Sequence, residues 1–302
     1  MVVNAFFMSL LYIIVKILTN DFSFTSNQVG LLYKITILIL TLLSCFKRGF
    51  VHHLKTKKLL FHTLRGFFSI MGSLCMFHAV SVMNVLNAAA ISELTPAFMV
   101  IAGVLVFNEK LTTPKVVLLL GSILGIFFIK DFTSIGKDFN SGYWYAFSAL
   151  IFWSINNVVI KKLTKTEHSR AQLFYSSLSA SIFAFPVAYF QFTFDFPNSW
   201  FDFANYSMNA NLATWPDFSI TAYLVVFSAG LASLLHKVSF FKAYKLSDMS
   251  VVGPFDYLRL PFTGIFAYLI LNEGIPNTYS LVGYGLIVLS GVYFIMHKER
   301  RA

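Results

Sequence analysis

The chain has 302 residues, 57% of them hydrophobic and 18% aromatic but only 12% charged, whereas an ordinary soluble domain carries about 25% charged residues. Twenty-three Lys and Arg with 13 Asp and Glu cannot clothe a 34.1 kDa globule in water, and a mean hydropathy of +0.70 excludes most soluble folds. A net charge of +10 would suit a nucleic-acid binder only if it lay on one solvated face, and here most of it lies between apolar runs.

A helix needs about 20 mainly apolar residues to cross a hydrocarbon core of about 30 Å. In chain order ten runs approach that length: 2–18, 28–46, 66–82, 85–107, 116–129, 143–160, 171–191, 219–241, 250–271 and 280–296. Met1 opens directly into apolar sequence, with no basic segment ahead of a short core, so 2–18 reads as the first span rather than a leader. The fifth run is short, and Lys115 and Lys130 at its ends extend it by snorkelling. The runs are too long, and too free of alternation, for barrel strands, and nothing reads as β. Cys45 and Cys75 both lie in apolar runs, which leaves no disulfide framework and no metal-ligand spacing.

Seventeen of the 23 basic residues fall in one alternate set of loops or at the C-terminus, against Lys130 and Lys137 in the other set. The crowded side, with both termini, is expected to be cytoplasmic. The long loop 192–218 carries Asp195, Asp202 and Asp217 and no Lys or Arg, as an outer loop does, and Trp200 and Trp215 read as interfacial aromatics. Asn205-Tyr206-Ser207 matches a glycosylation acceptor, a weak signal in so short a motif.

The halves repeat one another. Pro96, then Asn108-Glu109, then Gly121 are echoed by Pro261, Asn272-Glu273 and Gly285; the Asn-Glu pair and the glycine share an offset of 164, and the prolines differ by one more. Ala79 maps onto Ala243 at the same offset, and Lys16 to Thr19 echoes Lys161 to Thr164. The expected architecture is an all-α membrane protein of ten transmembrane helices in two five-helix repeats, 1–130 and 141–297. An odd number of spans inverts the second copy, a transporter device that places a binding site at mid-depth between repeats. A channel shares such symmetry; a membrane enzyme has less use for it.

Each ionisable side chain at mid-membrane costs about 2.5 to 3.5 kcal/mol or more on insertion scales. Glu93, Asp256 and Arg259 lie deepest, and Asp256 and Arg259, three apart, share a helix face. Pro96, Pro254 and Pro261 leave carbonyls without helical partners, as in the broken helices that line transporter sites. The expected substrate cavity has Glu93 and Asp256 binding a cationic group or a coupling proton, while Arg259 and Lys34 meet a carboxylate. The alternative is structural: Arg259 is neutralised by Asp256 or Glu93 and holds the repeats together. Tyr33, Trp153, Tyr175 and Tyr257 are candidates to stack on a planar or sulfonium-bearing ligand, or else pack like others of the 35 Phe, 14 Tyr and 4 Trp. Asn156 and Asn157 add cavity polarity or interhelical hydrogen bonds. Proton-coupling candidates are Glu93, His78 and His236, the histidines otherwise being packed and hydrogen-bonded. Lys237 reads as snorkelling to the inner interface, and Arg65 as marking the cytoplasmic start of the third span. Gly121 with Gly125, and Gly283 with Gly285, suggest close packing of spans five and ten, within the subunit or in a homodimer.

Catalysis finds no motif: no GxSxG, no HExxH and no phosphate-binding glycine loop. His52-His53 has no carboxylate ligands beside it. No catalytic residue, metal or cofactor is expected.

The ten spans, Leu64-Arg65-Gly66 at the third, and the two segments running from a proline to Asn-Glu resemble the EamA-type members of the drug/metabolite transporter superfamily, along nearly the whole chain. The stretch Pro254-Phe255-Asp256-Tyr257-Leu258-Arg259-Leu260-Pro261, with Phe185-Pro186, is similar to S-adenosylmethionine uptake transporters of obligate intracellular bacteria; Lys34 departs from the Arg of many relatives. The resemblance implies a secondary carrier working by alternating access in a bacterial inner membrane, for a small polar metabolite led by S-adenosylmethionine. Efflux of amino acids or drug-like metabolites is the alternative within the class. A channel would need a continuous polar stripe, and a membrane-embedded enzyme an activated nucleophile beside a base; neither is visible.

Overall fold

The computed structural model describes residues 2–46, 56, 58–107, 110–129, 141–164, 167, 169–191, 193–195, 207–209, 215–216, 219–246 and 253–297. Lys47, Arg48, Lys55, Lys57, Lys130, Lys137, Trp200 and Asn205-Tyr206, used above for orientation, lie outside the described residues, as do Asn108 and Glu109.

Eleven α-helices appear among the described residues: α1 (Val2–Asn20), α2 (Ser26–Phe46), α3 (Leu59–Val82), α4 (Val85–Ser92), α5 (Thr95–Phe107), α6 (Thr113–Ile129), α7 (Gly142–Thr164), α8 (Ser169–Tyr189), α9 (Ile220–Leu246), α10 (Arg259–Leu271) and α11 (Thr278–Met296). Eight segments are long and apolar enough to cross a membrane, among them 85–102 across the α4–α5 junction, while α6 is a shorter apolar helix. Side chains such as Leu105, Leu224, Leu269 and Leu289 stand exposed on the outside, a surface that hydrocarbon suits and water does not.

Two expected spans are not single helices. The run 85–107 breaks between α4 and α5 at Glu93 and Leu94, just ahead of Pro96, which has no N–H to return to the Ser92 carbonyl; the Thr95 hydroxyl donates to that carbonyl instead, at 2.6 Å. The run 250–271 is a 3-10 segment, Gly253–Leu258, followed by α10, with Pro254 in the tight part and Pro261 in the first turn of the α-helix, where a missing N–H costs nothing. The expectation of no β structure is also corrected: Thr193–Asp195 (β1) pairs antiparallel with Ser207–Asn209 (β2), Thr193 opposite Asn209. This ladder lies in the long loop outside the apolar runs, and three-residue strands leave no periodicity to read.

The helices pair in a pattern that survives exchange of the halves. The extensive interface of α3 with α7 is matched by α1 with α9, and that of α3 with α8 by α2 with α9; α2 with α8 and α6 with α11 map onto themselves. Close approach of α6 and α11 requires glycine. A Cβ on Gly121 would strike Ser290, one on Gly125 would strike Ile287 and the Gly283 carbonyl, and one on Gly283 would strike Ile129 and the Gly125 carbonyl. The hydroxyl of Ser280 also donates to the Ile129 carbonyl at 3.3 Å. Three of the four glycines expected in a span five to span ten contact therefore pack within the subunit, and Gly285 faces open space.

Candidate functional site

A cavity of about 340 Å³ lies between the halves, lined from α1, α2, α3, the break before α5, α5 to α11 and the 3-10 segment. The breaks in the helices deliver its deepest charges. Glu93, wholly buried, caps the C-terminus of α4 with its N–H on the carbonyls of Ala89 and Ala90. Arg259 opens α10, and its Nε donates a short hydrogen bond to Glu93 Oε1. Its guanidinium also lies 6.0 Å from the centre of the Tyr12 ring.

Helix α1 is stitched to this pair by small polar groups. Asn4 Nδ2 donates to Asp256 Oδ1 at 2.9 Å, Ser9 Oγ to the Arg259 carbonyl at 3.0 Å, and Thr263 Oγ1 to Ser9 Oγ at 3.0 Å. The Ser9 bond satisfies one carbonyl of the broken segment, an obligation that a group away from water cannot leave unmet. Tyr257 packs over Gly291, where a Cβ would collide with its ring. Around this end Asn4 Oδ1, Glu93 Oε2 and Tyr257 Oη are buried with no protein hydrogen-bond partner among the described residues, as is Asn156 Oδ1 on α7. Acceptors held ready in this way suit a ligand that brings donors.

A second charged group lies on α2, α3 and α9. Lys34 is 1% exposed; its Nζ donates to Ser69 Oγ at 3.0 Å and stands 4.8 Å from the centre of the Tyr33 ring. Tyr33 in turn donates to Ser73 Oγ at 2.6 Å, which donates to the Ser69 carbonyl at 2.8 Å. Lys237, on α9, lines the same cavity. Arg65, 4% exposed, donates through Nη1 to Gln172 O at 3.2 Å and Oε1 at 3.0 Å. Trp153 completes this wall over Gly72, whose missing Cβ makes room for the indole.

Of the residues expected at a substrate site, Tyr33, Lys34, Glu93, Trp153, Asn157, Asp256, Tyr257 and Arg259 line this one cavity, and so does His236, whose Nδ1 is 3.4 Å from the Asn4 carbonyl oxygen. Tyr175 does not. Its ring lies 5.2 Å from that of His62, and Ser176, about 100° further round α8, faces the cavity instead. His78 is likewise away from it, its ring 4.0 Å from that of Tyr145 on α7. Arg65 and Lys237, read from the sequence as interfacial, line the cavity, as do Asn4, Ser69, Ser73 and Ser233. A signal for several of these was present: Arg65, Ser69 and Ser73 recur every fourth residue, and Ser233 and Lys237 are four apart, so each set marks one helix face.

Comparison with known proteins follows the same division into halves. Residues 1–130 and 140–296 match the EamA-like transporter family. The S-adenosylmethionine uptake transporter of Rickettsia bellii (strain RML369-C) is 26% identical over 249 residues, covering 82% of this chain and 76% of the relative. The riboflavin transporter of Vibrio cholerae serotype O1 (strain ATCC 39315 / El Tor Inaba N16961) is 25% identical over 287 residues, covering 93% and 86%. A protein of known crystal structure shares the fold at 14% identity, with a TM-score of 0.62 over 97% of this chain and 96% of its own. With both halves matched, and apolar helices meeting at a charged cavity, the chain belongs to the EamA-like transporter family.

Proposed function

We propose that the protein is a secondary carrier that moves a small polar metabolite across a bacterial inner membrane by alternating access, with the central cavity as its binding site. The observation that carries this reading is the meeting of Glu93, Asp256 and Arg259, on two broken helices at corresponding places in the halves, inside a cavity of about 340 Å³. That volume falls within the roughly 300 to 1,000 Å³ of small-molecule sites. Intramembrane charge beside broken helices is the arrangement carriers use. The exchange symmetry of the helix pairs, with the five apolar runs of sequence in each half, supports an inverted repeat; the excess of Lys and Arg in one alternate set of loops supports cytoplasmic termini.

Alternating access also needs a closable end. Lys16 Nζ donates to the carbonyls of Ser81 at 3.2 Å and Met83 at 3.0 Å, while the Val85 N–H points at both oxygens of Glu273, at 3.4 and 3.2 Å. These bonds tie α1, the α3–α4 junction and the α10–α11 connection together, and we read them as one gate.

S-adenosylmethionine is the leading substrate, taken up or exchanged, on the strength of the Rickettsia relatives. Riboflavin, named for the Vibrio relative, likewise carries a planar heteroaromatic ring, which the aromatic faces of Tyr33, Trp153 and Tyr257 suit. The test is counterflow: proteoliposomes loaded with unlabelled S-adenosylmethionine should accumulate the labelled compound transiently, and a panel of unlabelled competitors, riboflavin included, should rank the substrates. No acceleration over protein-free vesicles, with folded protein, removes S-adenosylmethionine.

A further inference from the structure

The two charged groups of the cavity are not equivalent. Glu93 is bonded to Arg259 and Asp256 to Asn4, so both cavity carboxylates are engaged at the broken helices. Five basic side chains line the same cavity among the described residues, against those two acids. The surplus is concentrated at Lys34 and Lys237. Both line the cavity with Arg65, Lys34 is buried with a serine hydroxyl as its bond, and among the described residues no acid is paired with either lysine. Basic groups gathered on one cavity wall without an acid beside them suit an anion, which supplies the missing counter-charge. The neighbours that would accompany such an anion are in place: hydroxyls at Ser69 and Ser73, and the faces of Tyr33 and Trp153.

We infer that Lys34 and Lys237, with Arg65 behind them, form an anion seat that holds the carboxylate of the transported metabolite. Arg259, taken up by Glu93, is a positioning residue for the broken helices and leaves the carboxylate to the lysines. The inference rests on the carrier reading but is narrower: it specifies a substrate bearing one carboxylate, with its planar part against Tyr33 and Trp153. It also assigns Lys237 and Arg65 to binding, a role their places near the ends of apolar runs do not suggest.

The test is ligand-dependent stabilisation of the purified full-length protein in chloride-free buffer, with two probe pairs that differ at the carboxylate. One pair is S-adenosylmethionine and its decarboxylated analogue, the other benzoate and benzamide. In the wild type the carboxylate member of a pair should bind at least about tenfold more tightly, the worth of a charge-assisted hydrogen bond, and Lys237→Gln should abolish that preference. A preference in the benzoate pair alone, lost in Lys237→Gln, supports the seat and removes S-adenosylmethionine as substrate. Equal binding within both pairs in the wild type, or binding by no probe, overturns the seat. Since the decisive comparison is made in the wild type, a Lys237→Gln protein that fails to fold leaves the test standing.

Discussion

The two charged ends of the cavity solve the same problem in opposite ways. At the broken helices, Glu93 and Arg259 enter the apolar interior as partners, and Asn4, Ser9 and Thr263 hold the surrounding backbone and Asp256. On α2 and α9, Lys34 and Lys237 line the cavity with no acid paired to either among the described residues, and a serine hydroxyl is Lys34's bond. The first arrangement has its charges paired without a ligand, leaving only neutral acceptors and the second Glu93 oxygen open among the described residues. The second has basic groups without an acid beside them, a shortfall that an anion makes good. Buried charge therefore has two uses here, and its partner distinguishes them.

Substitutions should separate these uses by the sign of their effect on stability. The largest loss is expected for Arg259→Ala, which leaves the wholly buried Glu93 carboxylate without its cation and should cost about 3 to 5 kcal/mol, read by denaturant unfolding in detergent. The double variant Glu93→Gln with Arg259→Gln should recover part of it; additive losses would show that the two side chains are not coupled.

Next come the glycines that seat the aromatic walls. Gly291→Val pushes the Tyr257 ring and Gly72→Val the Trp153 indole, and each should lose about 1 to 3 kcal/mol through overpacking. An unchanged melting temperature in either would mean that the ring moves freely. Lys34→Met should go the other way, removing a buried basic group with no acid paired to it among the described residues and leaving the melting temperature equal or higher while exchange activity disappears. A fall as large as that of Arg259→Ala would make Lys34 a structural cation.

The smallest effect is expected at the gate. Burial pushes the Glu273 carboxyl above the usual carboxylate range, partly offset by the Val85 N–H and Lys16. Because its folded value exceeds its unfolded one, its contribution favours the fold at low pH and is lost as pH rises through that raised value. Glu273→Gln should flatten this shallow slope in melting temperature against pH, and an unaltered slope would assign it to another group.

Much of this was legible in the sequence, because a bilayer makes one strong demand. Apolar runs must satisfy their own backbone, so they are helices, and an ionisable residue inside one needs a reason. Glu93 and Arg259 stood out for that reason, and Pro96 and Pro261 marked the breaks beside them. What was not legible depends on rotation and on distant partners. Tyr175 and Ser176 are neighbours in sequence, and only the packing of α8 decides which faces the cavity. Arg65 looked like the end of a span because Arg breaks an apolar run. Yet α3 runs on to Leu59, since Gln172, 107 residues away, accepts from the guanidinium.

The central claim is that one cavity opens to each side of the membrane in turn. Thr95→Cys, at the start of α5 and on the cavity wall, in a background with Cys45 and Cys75 replaced by serine, places a single thiol there. A membrane-impermeant thiol reagent applied to sealed vesicles of either orientation should modify it from each face, with none of the reagent crossing. Modification from one face alone, or passage of the reagent through the protein, would contradict alternating access.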